Sequence, residues 1–259
     1  AGAGGSGEPA RVAAAPAPAS ASAAARILVA EDSPVNRELI RRQLLELGHA
    51  SRVCGDGREA LAALDGGGYG LLLSDCRMPE LDGYALARAI RTDEARRGGA
   101  RLAIVAITAS ALPEQIERCR AAGMDDWLIK PVRLQDLERV LQRWLPDPAA
   151  PAASTHAPAT GGELGALGAA LPLLLRELPR EREDIAAALR AQDRAALAHA
   201  LHRCAGAIAL FDAALAQRAQ ALETAIAQQP LRDCAAAVRE LIDELEGMQR
   251  RWQTLARRV

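Results

Sequence analysis

The stretch YGLLLSDCRMPELDGY, residues 69–84, decides the fold. Its apolar run Leu71-Leu72-Leu73 does not alternate with polar residues, so it reads as a short strand covered on both faces. The run ends on Ser74 and Asp75 rather than on a turn glycine. A carboxylate at the end of a buried strand is costly to desolvate unless it is paired or coordinates a cation. Other charged groups are therefore expected around Asp75.

Similar short apolar runs flank this one, near 26–30 (RILVA), 50–54, 102–107 (LAIVAI) and 127–129. Amphipathic helical stretches lie between and after them, near 34–47, 58–65, 83–92, 112–121 and 133–145. Ser33-Pro34 has the form of an N-cap followed by proline at the first helical position, and Gly48 that of a helix stop. Five strands alternating with five helices predict a parallel sheet with helices on both faces. Sites in such sheets lie beyond the carboxyl ends of the strands.

The remainder of the chain has a different texture. Residues 1–25 and 146–162 are rich in Ala, Pro and Gly and nearly uncharged, which is the composition of flexible linkers. His156 falls in the second of these and reads as a solvated side chain. They delimit a first block at 26–145 and a second at 163–259. The second block has no strand pattern. Helical stretches are predicted near 163–178, 180–191, 194–209, 213–228 and 231–257, with Pro172, Pro179 and Pro230 as punctuation. Leu197, Leu201, Cys204 and Ile208 form a stripe at helical spacing, so this block is expected to be a small antiparallel helical bundle.

Composition narrows the functional classes. With 32 basic and 33 acidic residues the chain has a net charge of −1, which argues against nucleic acid or an anionic membrane as its main partner. No apolar run approaches the ~20 residues of a membrane span, no signal peptide is evident, and five scattered cysteines suggest a reducing, cytoplasmic setting. The chain opens on Ala1, which suggests a piece of a longer protein. Of the 32 basic side chains a single one, Lys130, is a lysine.

The ends of the predicted strands carry Glu31-Asp32, Asp75, Thr108 and Lys130. Taken singly each has an ordinary explanation: the acid pair as compensation for a helix dipole, Thr108 as a strand-end cap, Lys130 as a solvated cation. Together they place three carboxylates, a hydroxyl and an ammonium on one edge of one sheet. Clustered carboxylates repel one another unless a divalent cation joins them, and oxygen ligands favour magnesium. Magnesium beside a carboxylate, with a hydroxyl and a lysine to hold new oxygens, describes a site that accepts a phosphoryl group.

The blocks ILVAEDSPVNR, LLLSDCRMPELDGY, AITAS and GMDDWLIKPV resemble the receiver domains of two-component signalling over residues 26–145, most closely those of BvgS/EvgS-type hybrid sensor kinases. The resemblance implies a flavodoxin-like fold with Asp75 as phosphoacceptor. It implies Mg²⁺ held by Asp32, Asp75 and the backbone carbonyl of Arg77, with Glu31 assisting through water. It further implies Thr108 and Lys130 on the phosphoryl oxygens, a cis Lys130-Pro131 peptide, and Trp127 at the position of the family's switch aromatic, alongside Thr108.

In the second block, LAHALHRCAGAIALF carries His202 about 130° away from the apolar stripe, with Gly206 one turn on. A mid-helix glycine costs up to ~1 kcal/mol against alanine, and a bare patch beside an exposed imidazole would justify it. His-x-x-x-Gly in a bundle behind a receiver resembles the histidine phosphotransfer (HPt) domain, with Cys204 in place of the usual leucine and Ala205 in place of the usual lysine. His199 is the lesser candidate. The resemblance implies a relay from a kinase histidine upstream, through Asp75 and His202, to a separate downstream response regulator. The upstream kinase would belong to the same full-length chain, an inner-membrane sensor. The alternative is a phosphorylation-gated binding module with a degenerate helical domain that is not itself phosphorylated. No ATP-binding kinase core is present in the sequence.

Overall fold

The computed structural model describes residues 26–98, 101–145 and 162–256. Both expected linkers, apart from Gly162, lie outside the described residues, as does His156. The first block folds as β1 (Arg26–Ala30), α1 (Pro34–Glu46), β2 (Ser51–Cys54), α2 (Gly57–Leu64), β3 (Tyr69–Asp75), α3 (Gly83–Arg97), β4 (Ala103–Thr108), α4 (Pro113–Ala121), β5 (Asp126–Ile129) and α5 (Leu134–Trp144). All strand pairs are parallel, in the order β2-β1-β3-β4-β5. This is the doubly wound, flavodoxin-like arrangement.

Alternation along the strands builds two apolar layers. Ile27, Val29, Leu71, Leu73, Val105 and Ile107 pack against helices α1 and α5 through residues such as Ile40, Leu44, Leu137 and Val140. Leu28, Leu72 and Ile104 face the other way, onto Ala60, Leu86 and Ile90 of α2 and α3. The register Ala30↔Ser74 and Asp75↔Ile107 sets the ends of β1, β3 and β4 side by side. Asp75 thereby ends the middle strand of the sheet.

Local signals fix the loops around that edge. The Ser33 side chain accepts from the Asn36 amide at 3.4 Å with Pro34 behind it, and Gly48, at φ +82°, follows the end of α1. Arg37 donates to the Glu31 and Asp32 carbonyls at 2.7 and 3.0 Å, holding the β1–α1 turn. The Lys130-Pro131 peptide is cis.

The second block folds as α6 (Gly162–Arg190), α7 (Arg194–Ile208), α8 (Ala213–Gln228) and α9 (Leu231–Ala256), a four-helix bundle. Here the structure corrects one expectation. Pro172 and Pro179 do not punctuate: a single 29-residue helix runs through both. Proline removes one backbone donor and crowds the preceding turn, but tertiary burial of Leu174, Leu178 and Ile185 holds the segment helical. Pro230, by contrast, does sit in the break between α8 and α9. Gly162, expected as the last linker residue, is the first residue of α6. Among the described residues no helix is long and apolar enough to cross a membrane.

The two blocks pack together along α1. Val35 belongs to the same apolar cluster as Leu201, Ala205 and Ile208 of α7, a contribution of about 1.5–3 kcal/mol for a side chain of that kind.

Gly83 shows how tightly the loop after β3 is folded. A Cβ at this position would lie 2.1 Å from the Asp75 carbonyl oxygen and 2.9 Å from the Ser74 hydroxyl. The obstacle is backbone, which cannot swing aside. Gly83→Ala is expected to destabilise the first domain by about 1–3 kcal/mol, as overpacking of a close-packed site does, and chemical denaturation followed by circular dichroism will measure it. An unchanged midpoint would show that the loop can relax.

Candidate functional site

At the carboxyl edge of the sheet, Glu31, Asp32 and Asp75 bring one carboxylate oxygen each to within 4.8 Å of one another. All three are buried. Lys130 reaches into the group from the end of β5, its Nζ 2.7 Å from Asp75 Oδ2 and 3.0 Å from Glu31 Oε2. Asn36 adds a neutral donor to Glu31 at 3.0 Å, and the Arg77 amide donates to Asp75 Oδ1 at 3.1 Å. One cation for three acids leaves the cluster under-compensated.

The titration behaviour follows. Burial, then the charges of Glu31 and Asp75, push Asp32 up to about 8. Burial and the Asp75 charge also raise Glu31. Burial works against ionised Asp75 too, but Lys130, 2.7 Å away, outweighs it and holds Asp75 at about 2. Burial opposes the charge on Lys130, yet the Asp75 and Glu31 carboxylates raise it above its ordinary range. Lys130 thus favours an ionised Asp75, while burial and like charge favour a proton on Asp32 when no cation is bound.

Asp32 Oδ1 has no hydrogen-bond partner, and Asp32 Oδ2 and Glu31 Oε2 have only ion-pair neighbours, His199 at 3.2 Å and Lys130 at 3.0 Å, without a well-formed hydrogen bond. Buried oxygens of this kind are ordinarily satisfied. An all-oxygen, acid-rich and unsatisfied set suits a hard divalent cation, so the residues fit the cation expected from the sequence.

The second domain supplies the other half of the site. His202, on α7, is 6 % exposed. It lies off the stripe that fills the bundle core, as its place on the helical wheel predicts, and the receiver-like block covers it. Its Nε2 stands 3.9 Å from Asp75 Oδ1, beyond hydrogen-bond range, and has no hydrogen-bond partner. Its Nδ1 lies 3.1 Å from Glu223 Oε2 on α8. Because a carboxylate accepts, the proton sits on Nδ1 and the lone pair on Nε2. Burial lowers the imidazole's affinity for a second proton, against the pull of Asp75. Burial favours the neutral ring, whose Nε2 lies toward the Asp75 carboxylate.

Gly206 explains how the domains come so close. A Cβ there would meet Asn36 Nδ2 at 2.8 Å and Lys130 Nζ at 3.6 Å. The glycine admits the two side chains that hold Glu31 and Asp75. The other expected residues are placed as follows. Thr108 is buried at the end of β4, donates to the Ser110 carbonyl at 3.1 Å, and lines a cleft of about 590 Å³ with Asp75, Arg77, His202 and Glu223. Trp127 is not among the residues of this cleft; its ring packs against the Leu28 layer and under Arg120, 5.6 Å away. Ala205 is buried in the interdomain apolar cluster. Arg203 is committed within the bundle, donating to both oxygens of Glu181 at 2.9 Å and pairing with Asp184, so it does not stand in for the lysine missing at Ala205.

Two features escape the sequence reading. Glu223 is 21 residues from His202 and on another helix, and no local spacing links them. His199, expected on the same general face as His202, proves to lie 3.2 Å from Asp32 Oδ2, although burial, Arg203 and His202 lower its affinity for a proton.

The role of Gly206 gives a prediction of two opposite signs. Gly206→Leu should leave the bundle as stable or stabilise it, by up to ~1 kcal/mol from helix propensity, while forcing the two domains apart. Small-angle scattering should show a larger radius of gyration than for the unmodified chain. An unchanged scattering profile would mean the interface tolerates the side chain.

Residues 27–142 match the response regulator receiver domain family, and residues 169–251 match the Hpt domain family. The chain is 42% identical over 115 residues, 44% of its length, to the sensor histidine kinase RcsC of Salmonella typhi. It is 41% identical over 142 residues, 52% of its length, to the virulence sensor protein BvgS of Bordetella pertussis. It spans only 12% and 11% of those proteins. Among solved structures, the receiver domain of the sensor histidine kinase PA1611 from Pseudomonas aeruginosa PAO1, with a magnesium ion coordinated in its active site cleft, is 42% identical. That match covers 48% of this chain and 100% of the other, with a TM-score of 0.44. The chain belongs to the two-component signalling proteins, with a response regulator receiver domain followed by an Hpt domain.

Proposed function

We propose that this segment passes a phosphoryl group between Asp75 and His202, within a phosphorelay that receives it from a kinase histidine and delivers it to a separate response regulator. The observation that carries the reading is the 3.9 Å approach of His202 Nε2 to Asp75 Oδ1, both buried and with the nitrogen unpartnered. Two groups in contact range, one a low-pKa carboxylate and one a neutral imidazole with its lone pair directed inward, match the two ends of an in-line transfer.

In that reaction the Nε2 lone pair of His202 attacks the phosphorus of an acyl phosphate on Asp75. The P–N bond forms as the P–O bond breaks, and the electron pair returns to Asp75 as a carboxylate. The proton on Nδ1 stays in place, so positive charge develops on the ring. Glu223 Oε2, 3.1 Å away, offsets that charge. Lys130, 2.7 Å from Asp75 Oδ2, stabilises the carboxylate that is regenerated. Electrostatic arrangement of this kind in a water-poor site is the principal lever on such a step. Thr108, which lines the same cleft, would turn its hydroxyl from the Ser110 carbonyl to a phosphoryl oxygen.

Mg²⁺ would be held by Asp32, Asp75 and the carbonyl of Arg77, with Glu31 assisting through water, and would supply positive charge for the phosphoryl oxygens. With the domains docked, Asp75 is fully buried and His202 nearly so. Exchange with an outside kinase or regulator therefore needs the domains to part. The binding-module alternative leaves the neutral, inward-aimed imidazole without a purpose.

The assay is direct. Full chain incubated with a radiolabelled small acyl phosphate and Mg²⁺ should acquire label on Asp75 and then base-stable label on His202. Asp75→Asn should lose both, and His202→Gln only the second. Transfer surviving in His202→Gln at His199 would reassign the acceptor.

Cation binding should also respond to pH. Asp32 is raised to about 8, so below that pH a cation must displace its proton. Mn²⁺ affinity is expected to rise between pH 6 and pH 8 with proton release, as for metal sites built on protonated ligands. Calorimetry in two buffers of different ionisation enthalpy will detect it. Affinity that is flat over this range would show that Asp32 is already ionised.

A further inference from the structure

Glu223 uses both of its oxygens, one within its own domain and one across the domain boundary. Oε2 holds His202 Nδ1, and Oε1 contacts the Arg77 guanidinium of the receiver domain. Arg77 is itself tied to the phosphoacceptor candidate, its backbone amide donating to Asp75 Oδ1 at 3.1 Å. His202 Nε2 faces that same oxygen. The four residues close a ring: Asp75, Arg77, Glu223, His202 and back to Asp75. Two of its four links cross between domains, and it closes only when the domains are docked in register.

We propose that the Arg77 side chain is a specificity-determining and positioning residue, which selects an HPt partner carrying a carboxylate behind its relay imidazole and through that carboxylate orients His202. The proposal rests on the phosphotransfer reading and deepens it by naming what the receiver recognises. The preferred partner is the HPt domain of this chain, whose Glu223 side chain is 9% exposed against 47% for Arg77. The carboxylate is placed by α8 at the cleft between the domains, and the long arginine reaches across to meet it. A planar guanidinium can hold a carboxylate oxygen without displacing the imidazole from the other. An HPt domain with a neutral or basic residue at this position would leave Arg77 unpaired at the interface, a cost that discriminates among partners.

A second cross-domain pair, His199 with Asp32 at 3.2 Å, lies on the Asp32 side of the cluster and helps set the same register. It does not touch His202 through a shared group, so it does not orient the ring.

The test is a double-mutant cycle on the full chain, with Asp75 loaded by a labelled acyl phosphate and single-turnover transfer to His202 followed by rapid quench. Arg77→Gln and Glu223→Gln should each slow transfer about tenfold, and the double variant should be about tenfold slow rather than a hundredfold, a coupling of ~1.4 kcal/mol. Arg77→Lys, which keeps the charge, should recover to within about threefold of the unmodified rate, a gap of ~0.6 kcal/mol. Because the pair is partly exposed, high salt should slow the unmodified chain more than the Arg77→Gln chain. Multiplicative effects in the double variant, or equal salt dependence in the two chains, would overturn the role of Arg77 while leaving the relay intact. An unmodified chain that loads Asp75 and never labels His202 would overturn the transfer reading and this role with it.

Discussion

Three carboxylates buried within 4.8 Å of one another with a single ammonium among them form the constraint on which the rest of this structure depends. Burying one unpaired charge is costly, and burying several of one sign is more so. Lys130 meets part of the cost by contacting two of the acids, and Asp32 meets part by holding a proton. What remains is a local appetite for positive charge. It accounts for the raised pKa of Asp32 and the fit to a divalent cation, while Lys130 beside Asp75 keeps that carboxylate ionised.

The geometry of the sheet makes the cluster possible. Parallel strands in register end together, so residues at the ends of β1, β3 and β5 converge without any one loop having to be long. A lysine suits the position at the end of β5 because a compact ammonium on a flexible stem can touch both Glu31 and Asp75. A guanidinium is wider and fixed in its fork. The chain uses arginine at every other basic position, so the exception follows from shape rather than charge.

Docking of the bundle adds a second desolvation to the first. His202 stays neutral because burial opposes its protonation, and Glu223 determines which nitrogen keeps the proton. The small residues of α7 admit this contact: Gly206 gives passage to Asn36 and Lys130, and Ala205 packs with Val35. The positive charges beside Asp75 and Glu223 are those of the receiver side, Lys130 and Arg77. The interface therefore joins two incomplete electrostatic arrangements into one.

Much of this was legible in the amino-acid order alone. The buried strand 71–73, the acids and lysine at strand ends, the Ser33-Pro34 cap and the Gly48 stop are local or periodic signals, and local signals survive in one dimension. The faces of α7 were legible too, because helical geometry converts spacing into angle; Gly206 marked an approach surface before any partner was in view. The continuity of α6 through Pro172 and Pro179 was not legible. Propensity argues for a break there, and only burial of Leu174 and Leu178 overrules it. Glu223 behind His202, His199 against Asp32 and Arg77 reaching Glu223 were hidden for a related reason. These pairs join residues on different helices or different domains, and their partners are chosen by packing, which no spacing along the chain encodes. The sequence by itself determined which groups the protein would bury at the edge of its sheet. Tertiary structure alone decided which of them would meet, because pairing and desolvation depend on distances that exist only after the two domains have folded and docked.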